Sequence, residues 1–141
     1  MSGDVELHLP PDVQYVGLAR LVVCSAARQA GMAGDRVEDL RIAVSEATTN
    51  AILAHQRASE TRPVVLTFGP TERGTFEVAI TDAGPGFEPA SPGSAAGRDW
   101  RDENGLGVTL IRGLADEVDF TRGEGMRVHM RFAMELDGEH V

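Results

Sequence analysis

The 141-residue chain has a single cysteine, Cys24, so no internal disulfide can form. In "LARLVVCSAARQAG" that thiol lies in an apolar stretch with no histidine nearby. Reactive thiols need electropositive, accessible surroundings, so Cys24 reads as a small buried hydrophobe. Positive charge is also scarce, since 13 Lys+Arg against 22 Asp+Glu leave a net charge of −9. A reader of phosphate backbones gathers positive charge on one face, which argues against direct nucleic-acid binding. No apolar run approaches the ~20 residues of a membrane span. The opening "MSGDVELHLPPD" lacks the basic and apolar regions of a secretory leader. With the lone cysteine, these absences predict a cytoplasmic protein without a membrane partner. The four histidines, His8, His55, His129 and His140, do not have metal-ligand spacing, which speaks against a zinc site.

What is present is enough for one core: 42% of residues are hydrophobic, and a single domain over residues 1–141 is expected. Val5 to Leu9 alternates like a short strand and is closed by Pro10-Pro11. From Asp12 to Ala30 apolar residues recur at helical spacing, with Gly31 as the stop. Asp35 is placed to cap a second helix running to about Gln56. "RPVVLTFGP" and "TFEVAITD" read as neighbouring strands. Residues 88–104 lack periodicity and are dense in small residues, the composition of a mobile loop. "GLGVTLIRGLADEV" opens a third helix, and "EVDFTRGEGMRVHMRF" alternates on both sides of Gly123-Glu124-Gly125 as a hairpin does. The order predicts an α/β two-layer sandwich, a mixed sheet covered on one face by about three helices.

On the second helix Glu46 and Asn50 are one turn apart and share a face. At about 100° per residue the core stripe is Val37, Leu40, Val44, Ala47, Ala51 and Ala54, and the polar pair falls beside it. A merely solvated face would pair Glu46 with Lys or Arg one turn away, but those positions are Ile42 and Asn50. After the strand ending in "AITD", Asp82, Gly84 and Gly86 occupy alternate positions. Gly105-Leu106-Gly107 then opens the third helix. Each pattern alone is weak, but their order and spacing together are specific.

These features resemble the Bergerat-type nucleotide-binding fold shared by type II topoisomerases, a heat-shock chaperone family and sensor histidine kinases. Within it, "LRIAVSEATTNAI", "ITDAGPGF" and "GLGVTLIRGLADEVDF" are most similar to the bacterial anti-sigma-factor serine kinases of partner-switching systems. The resemblance covers about residues 5–134. It implies that Asp82 accepts a hydrogen bond from the adenine amine. Guanine would leave that carboxylate unmatched, at a cost of ~1–3 kcal/mol. It implies that Gly84 and Gly86 let the backbone pass close to base and sugar, that residues 88–104 form a mobile ATP lid, and that Gly105, Leu106 and Gly107 bring backbone N–H groups to the phosphates. Asn50 would ligate Mg²⁺, and Glu46 would be the catalytic base that orients or deprotonates the attacking hydroxyl.

ATP and Mg²⁺ are thus the implied cofactors, and a sigma factor and a small anti-anti-sigma (STAS-type) protein the implied partners. A homodimer is implied too, for which the exposed edge of the first strand offers a surface. The sequence departs from the family in three places. Ala54 stands where many relatives have a histidine, and the following His55 is turned away from the site as a surface or partly buried residue. Met126 stands where relatives often have a threonine. No lysine is near the lid, so any cation for the γ-phosphate would be Arg98 or Arg101. An alternative from another class is a nucleotide-gated clamp that binds ATP and sequesters a partner without transferring phosphate.

Overall fold

The computed structural model describes residues 5–83, 107–123 and 125–135. The expected lid at 88–104, with Arg98 and Arg101, and the glycines at 84, 86 and 105 with Leu106 lie outside the described residues. Strand β1 is Val5–Leu9. The expected first helix begins as a 3₁₀ turn, Val13–Tyr15, whose start is capped by Asp12 accepting the Gln14 N–H at 3.0 Å. Helix α1 follows at Val16–Gln29 and α2 at Gly34–Arg57. Strands β2 (Val64–Pro70) and β3 (Thr75–Thr81) come next. Helix α3 is described over 107–114. The hairpin of β4 (Glu117–Arg122) and β5 (Met126–Ala133) closes the order.

The helix ends follow from local chemistry. At the end of α1 Gly31 takes φ 100°, the Met32 N–H reaches the Ala27 carbonyl at 3.0 Å and the Gly31 N–H reaches that of Arg28 at 3.0 Å. This is a Schellman closure, and glycine adopts the left-handed position without a Cβ penalty. The end of α2 repeats it with Ser59 at φ 55° and the Glu60 N–H on the His55 carbonyl at 2.8 Å. The start of α2 corrects the expected cap. The helix begins one residue before Asp35, with Ala33 at the N-cap and no side-chain cap bond. Asp35 lies in the first turn, where its charge complements the helix dipole instead.

The sheet runs β1-β2-β3-β5-β4, and all four pairings are antiparallel. The sheet is therefore antiparallel where a mixed one was expected. The crossover through α3 does return the chain parallel to β3, because β3 and β4 both run against β5; but β5 inserts between them, so the parallel pair never touches. Leu66 and Phe68 of β2, Phe76, Val78 and Ile80 of β3, and Met130 and Phe132 of β5 are buried toward the helices. They meet Val23 and Ala27 of α1 and Val37, Leu40, Val44, Ala47, Ala51 and Ile52 of α2 in one core. Ala54 is only half-buried, whereas Thr48, Ile52 and His55 are fully buried, so the stripe turns farther round α2 than the sequence reading placed it. Cys24 is buried as expected, and burial pushes its thiol up from the ordinary range.

Arg36 ties the far ends of three elements together. Its guanidinium donates to Asp39 at 2.6 Å and Asp116 at 2.5 Å, and to the carbonyls of Ala133 and Leu114 at 3.3 and 3.4 Å. It also lies over the Phe132 ring, 5.4 Å from its centroid. A buried guanidinium is tolerated here because its donors are satisfied. The C-terminal end of α3 is thereby anchored to α2, which leaves the other end of α3 to face the candidate site.

Candidate functional site

Glu46 and Asn50 project from α2 half-buried, beside the core stripe. What they meet is the beginning of the described part of α3. A Cβ added at Gly107 would stand 2.6 Å from Glu46 Oε2 and 3.1 Å from Asn50 Nδ2. The missing Cβ lets the first described turn of α3 lie directly against these two flexible side chains. Backbone N–H groups and the positive end of the helix dipole gather at such a turn. A carboxylate, an amide and the first described turn of α3 are thus brought together from distant parts of the chain. Oxygen donors beside an anion-favouring helix start fit a hard divalent cation with a phosphate chain.

Asp82, just beyond β3, is 9% exposed and held by main chain. Its N–H donates to the Met126 carbonyl at 2.9 Å, and its Oδ1 accepts the Met126 N–H at 3.2 Å. Gly125 packs so tightly on this corner that a Cβ there would be 1.9 Å from the Asp82 carbonyl oxygen. Any residue but glycine would collide with backbone. Asp82 also borders a shallow cavity of about 330 Å³ at this end of the sheet, lined by Thr81, Ala83, Met126 and Arg127 among others. Met126 serves Asp82 through its backbone, a contribution that does not depend on its side chain.

His55 corrects the reading of a surface or partly buried residue turned away from the site. It is fully buried, with Nδ1 2.9 Å from the Arg62 carbonyl and Nε2 accepting the Ala83 N–H at 2.8 Å. The rotation that removes His55 from the row of Glu46 and Asn50 turns it into the core, beneath the chain that follows Asp82. One signal could have revealed it: Val44, Thr48, Ala51 and His55 continue an i, i+3/i+4 row. Ala83 is further held by Arg62, whose Nη2 donates to its carbonyl at 3.4 Å. Arg62 in turn pairs with Glu60, and its hydrogen bonds hold that carboxyl down at about 2.

The structure therefore brings Glu46, Asn50 and Gly107 together at one end, and Asp82, Gly125 and Met126 at the other, with α2 spanning both. No group of three or more potential metal-ligating side chains forms among the described residues.

Residues 9–132 match the family model of the histidine kinase-like ATPase domain. The chain is similar to the serine-protein kinase RsbW of Bacillus cereus (strain G9842), 33% identical over 149 aligned positions covering 97% of this chain and 92% of that protein. It is similar also to RsbW of Bacillus subtilis (strain 168), 34% identical over 146 positions covering 97% and 88%. Among solved structures it resembles the RsbU and RsbW domains of Rv1364c from Mycobacterium tuberculosis, with a TM-score of 0.70 at 14% identity, over 92% of this chain and 32% of that longer one. At that identity the likeness speaks for the fold.

Proposed function

We propose that this chain, which belongs to the histidine kinase-like ATPase domain family and stands beside the RsbW serine-protein kinases, is an ATP-dependent serine-protein kinase and anti-sigma factor. It sequesters a sigma factor and phosphorylates an anti-anti-sigma protein. The observation that carries the reading is the meeting of Glu46 and Asn50 with Gly107 of α3.

In this reading residues 1–141 form one ATPase domain. Asp82 recognises the adenine amine, with Gly84 and Gly86 beside it, and the backbone at Gly105, Leu106 and Gly107 receives the phosphates. Asn50 is the residue that would hold Mg²⁺, which when bound supplies neutralising charge to the triphosphate. Glu46 takes the proton from the substrate serine hydroxyl as its oxygen bonds to the γ-phosphorus; the bond to the bridging oxygen breaks and ADP departs. The chain has no lysine, so a permanent positive charge brought to the phosphates by a side chain is a guanidinium. The cytoplasm and a homodimer belong to the same proposal. It is supported by a free, buried Cys24 and by the position of β1 at the sheet edge.

The test is phosphate transfer from labelled Mg-ATP to an anti-anti-sigma protein of the same organism. Glu46→Gln is expected to bind Mg-ATP within a few-fold of wild type while transfer falls by ~10²–10⁴. Asn50→Ala is expected to lose both Mg²⁺-dependent binding and transfer. A wild type that binds ATP and a sigma factor yet transfers nothing would make the chain a nucleotide-gated clamp. A Glu46→Gln variant as fast as wild type would remove Glu46 from the chemistry.

A further inference from the structure

We infer that His55 is a positioning residue for nucleotide selectivity, acting through the main chain at Ala83 on the aim of Asp82. The inference rests on the reading of Asp82 as the group that recognises the base. A carbonyl oxygen can only accept and an amide N–H can only donate. The Arg62 carbonyl on one side of the ring and the Ala83 N–H on the other therefore assign the proton to Nδ1 and the lone pair to Nε2. The ring is fully buried, and both of its nitrogens are engaged within 2.9 Å.

The two groups it joins belong to strands that part at this end of the sheet. Arg62 precedes β2 and Ala83 follows β3, and the last paired positions are Val65 and Thr81. Beyond that point successive amides of one chain are taken from different sides. The Asp82 N–H goes to β5 through the Met126 carbonyl, and the Ala83 N–H goes to α2 through His55. The peptide between Asp82 and Ala83 is thus clamped, which fixes the backbone torsions from which the Asp82 side chain springs. Geometry of this kind decides selectivity, because a hydrogen-bonding carboxylate discriminates only when it is held where the right partner can reach it.

His55 also lies on the same helix as Glu46 and Asn50. Five residues of α2, a rise of ~7.5 Å, separate Asn50 from the ring that sets Ala83. One rigid element therefore spaces the base end from the phosphate end.

Two near-isosteric variants divide the ring's hydrogen bonds. His55→Gln keeps an acceptor at the reach of Nε2, and His55→Asn keeps a donor at the reach of Nδ1. Both are expected to lower the melting temperature to a similar degree. In calorimetric titrations with Mg-ATP and Mg-GTP, His55→Gln should hold the ATP preference within about threefold, whereas His55→Asn should lose it by ~10-fold. A merely structural histidine would lower the melting temperature and move the preference alike in both variants or in neither, and either result overturns the inference.

If the variants do not fold, NMR of wild type decides. The inference requires a coupling across the hydrogen bond between His55 Nε2 and the Ala83 N–H, and a shift of that ring nitrogen on addition of Mg-ATP but not Mg-GTP. Absence of either overturns it. A wild type that binds ATP and GTP equally takes down the Asp82 reading and this role with it. A retained ATP preference without the coupling takes down the role of His55 alone.

Discussion

Asp82 is gripped by main chain, exchanging bonds of 2.9 and 3.2 Å with Met126 under the packed backbone of Gly125, whereas the atoms that Glu46 and Asn50 bring nearest to Gly107 belong to flexible side chains. In the proposed reading the base end is a frame set by the fold, and the phosphate end is a pair of side-chain ligands that can adjust beside α3. The contrast suits the two tasks. Telling one base from another needs an acceptor that does not follow the wrong partner. Holding a metal with its waters and a changing phosphate needs ligands that can adjust.

The comparison breaks most sharply at its two glycines. Gly125→Ala drives a Cβ into the Asp82 backbone, which cannot swing aside, so unfolding in urea should show a loss of ~3 kcal/mol or more. A loss below ~1 kcal/mol would mean that this end is as adaptable as the other. Removing the carboxylate tests what the frame is for. Asp82→Ala should weaken ATP by ~1.5–3 kcal/mol, roughly ten- to a hundredfold, with GTP little affected. Equal ATP and GTP affinities in wild type would strip Asp82 of its role.

Gly107→Ala should behave in the opposite way from Gly125→Ala. The nearest atoms are the ends of flexible side chains, and alanine favours a helix, so stability should change by less than ~1 kcal/mol. Phosphate transfer should nevertheless fall by ~10-fold or more, since Glu46 must move to make room. A variant that loses stability but keeps its rate would reverse the comparison.

The smallest effect is expected away from both ends, on the face of the sheet turned from the helices. There Glu77 accepts from Arg131 Nε at 3.0 Å and lies 2.8 Å from His129 Nε2. Burial would raise its carboxyl, but the bonds from Arg131 and His129 outweigh that and hold it below the usual carboxylate range. A depressed folded value means that Glu77 contributes stability above the usual range, and that the contribution is lost as pH falls through the lowered value. Glu77→Gln should therefore flatten the acid side of the stability profile while leaving the ATP preference intact. An altered preference would show that this face also reports to the site.

Much of this was legible in the chain itself. The strands at Val5–Leu9 and Thr75–Thr81 and the β4–β5 hairpin follow the alternation of apolar residues, and the shared face of Glu46 and Asn50 follows from helical geometry. The misses have one kind of cause. Asp35 looked like a cap, and its place in the first turn depends on where α2 starts against the rest of the fold: the N-cap residue, Ala33, is bound by its N–H to the Met134 carbonyl at 2.8 Å. His55 points outward by its angle to Asn50 alone, yet the Arg62 carbonyl and the Ala83 N–H that enclose it come from residues 7 and 28 positions away.

The sequence by itself determined which residues share a face, where turns permit a positive φ, and which polar groups stand beside an apolar stripe, because these depend on bonds and neighbours within a few residues. The tertiary structure alone decided that β5 separates β3 from β4, that Gly125 lies on Asp82, that Gly107 lies on Glu46 and that the His55 ring joins Arg62 to Ala83. Those contacts join residues far apart in the chain, and a local pattern says which side of an element is buried without saying what it is buried against.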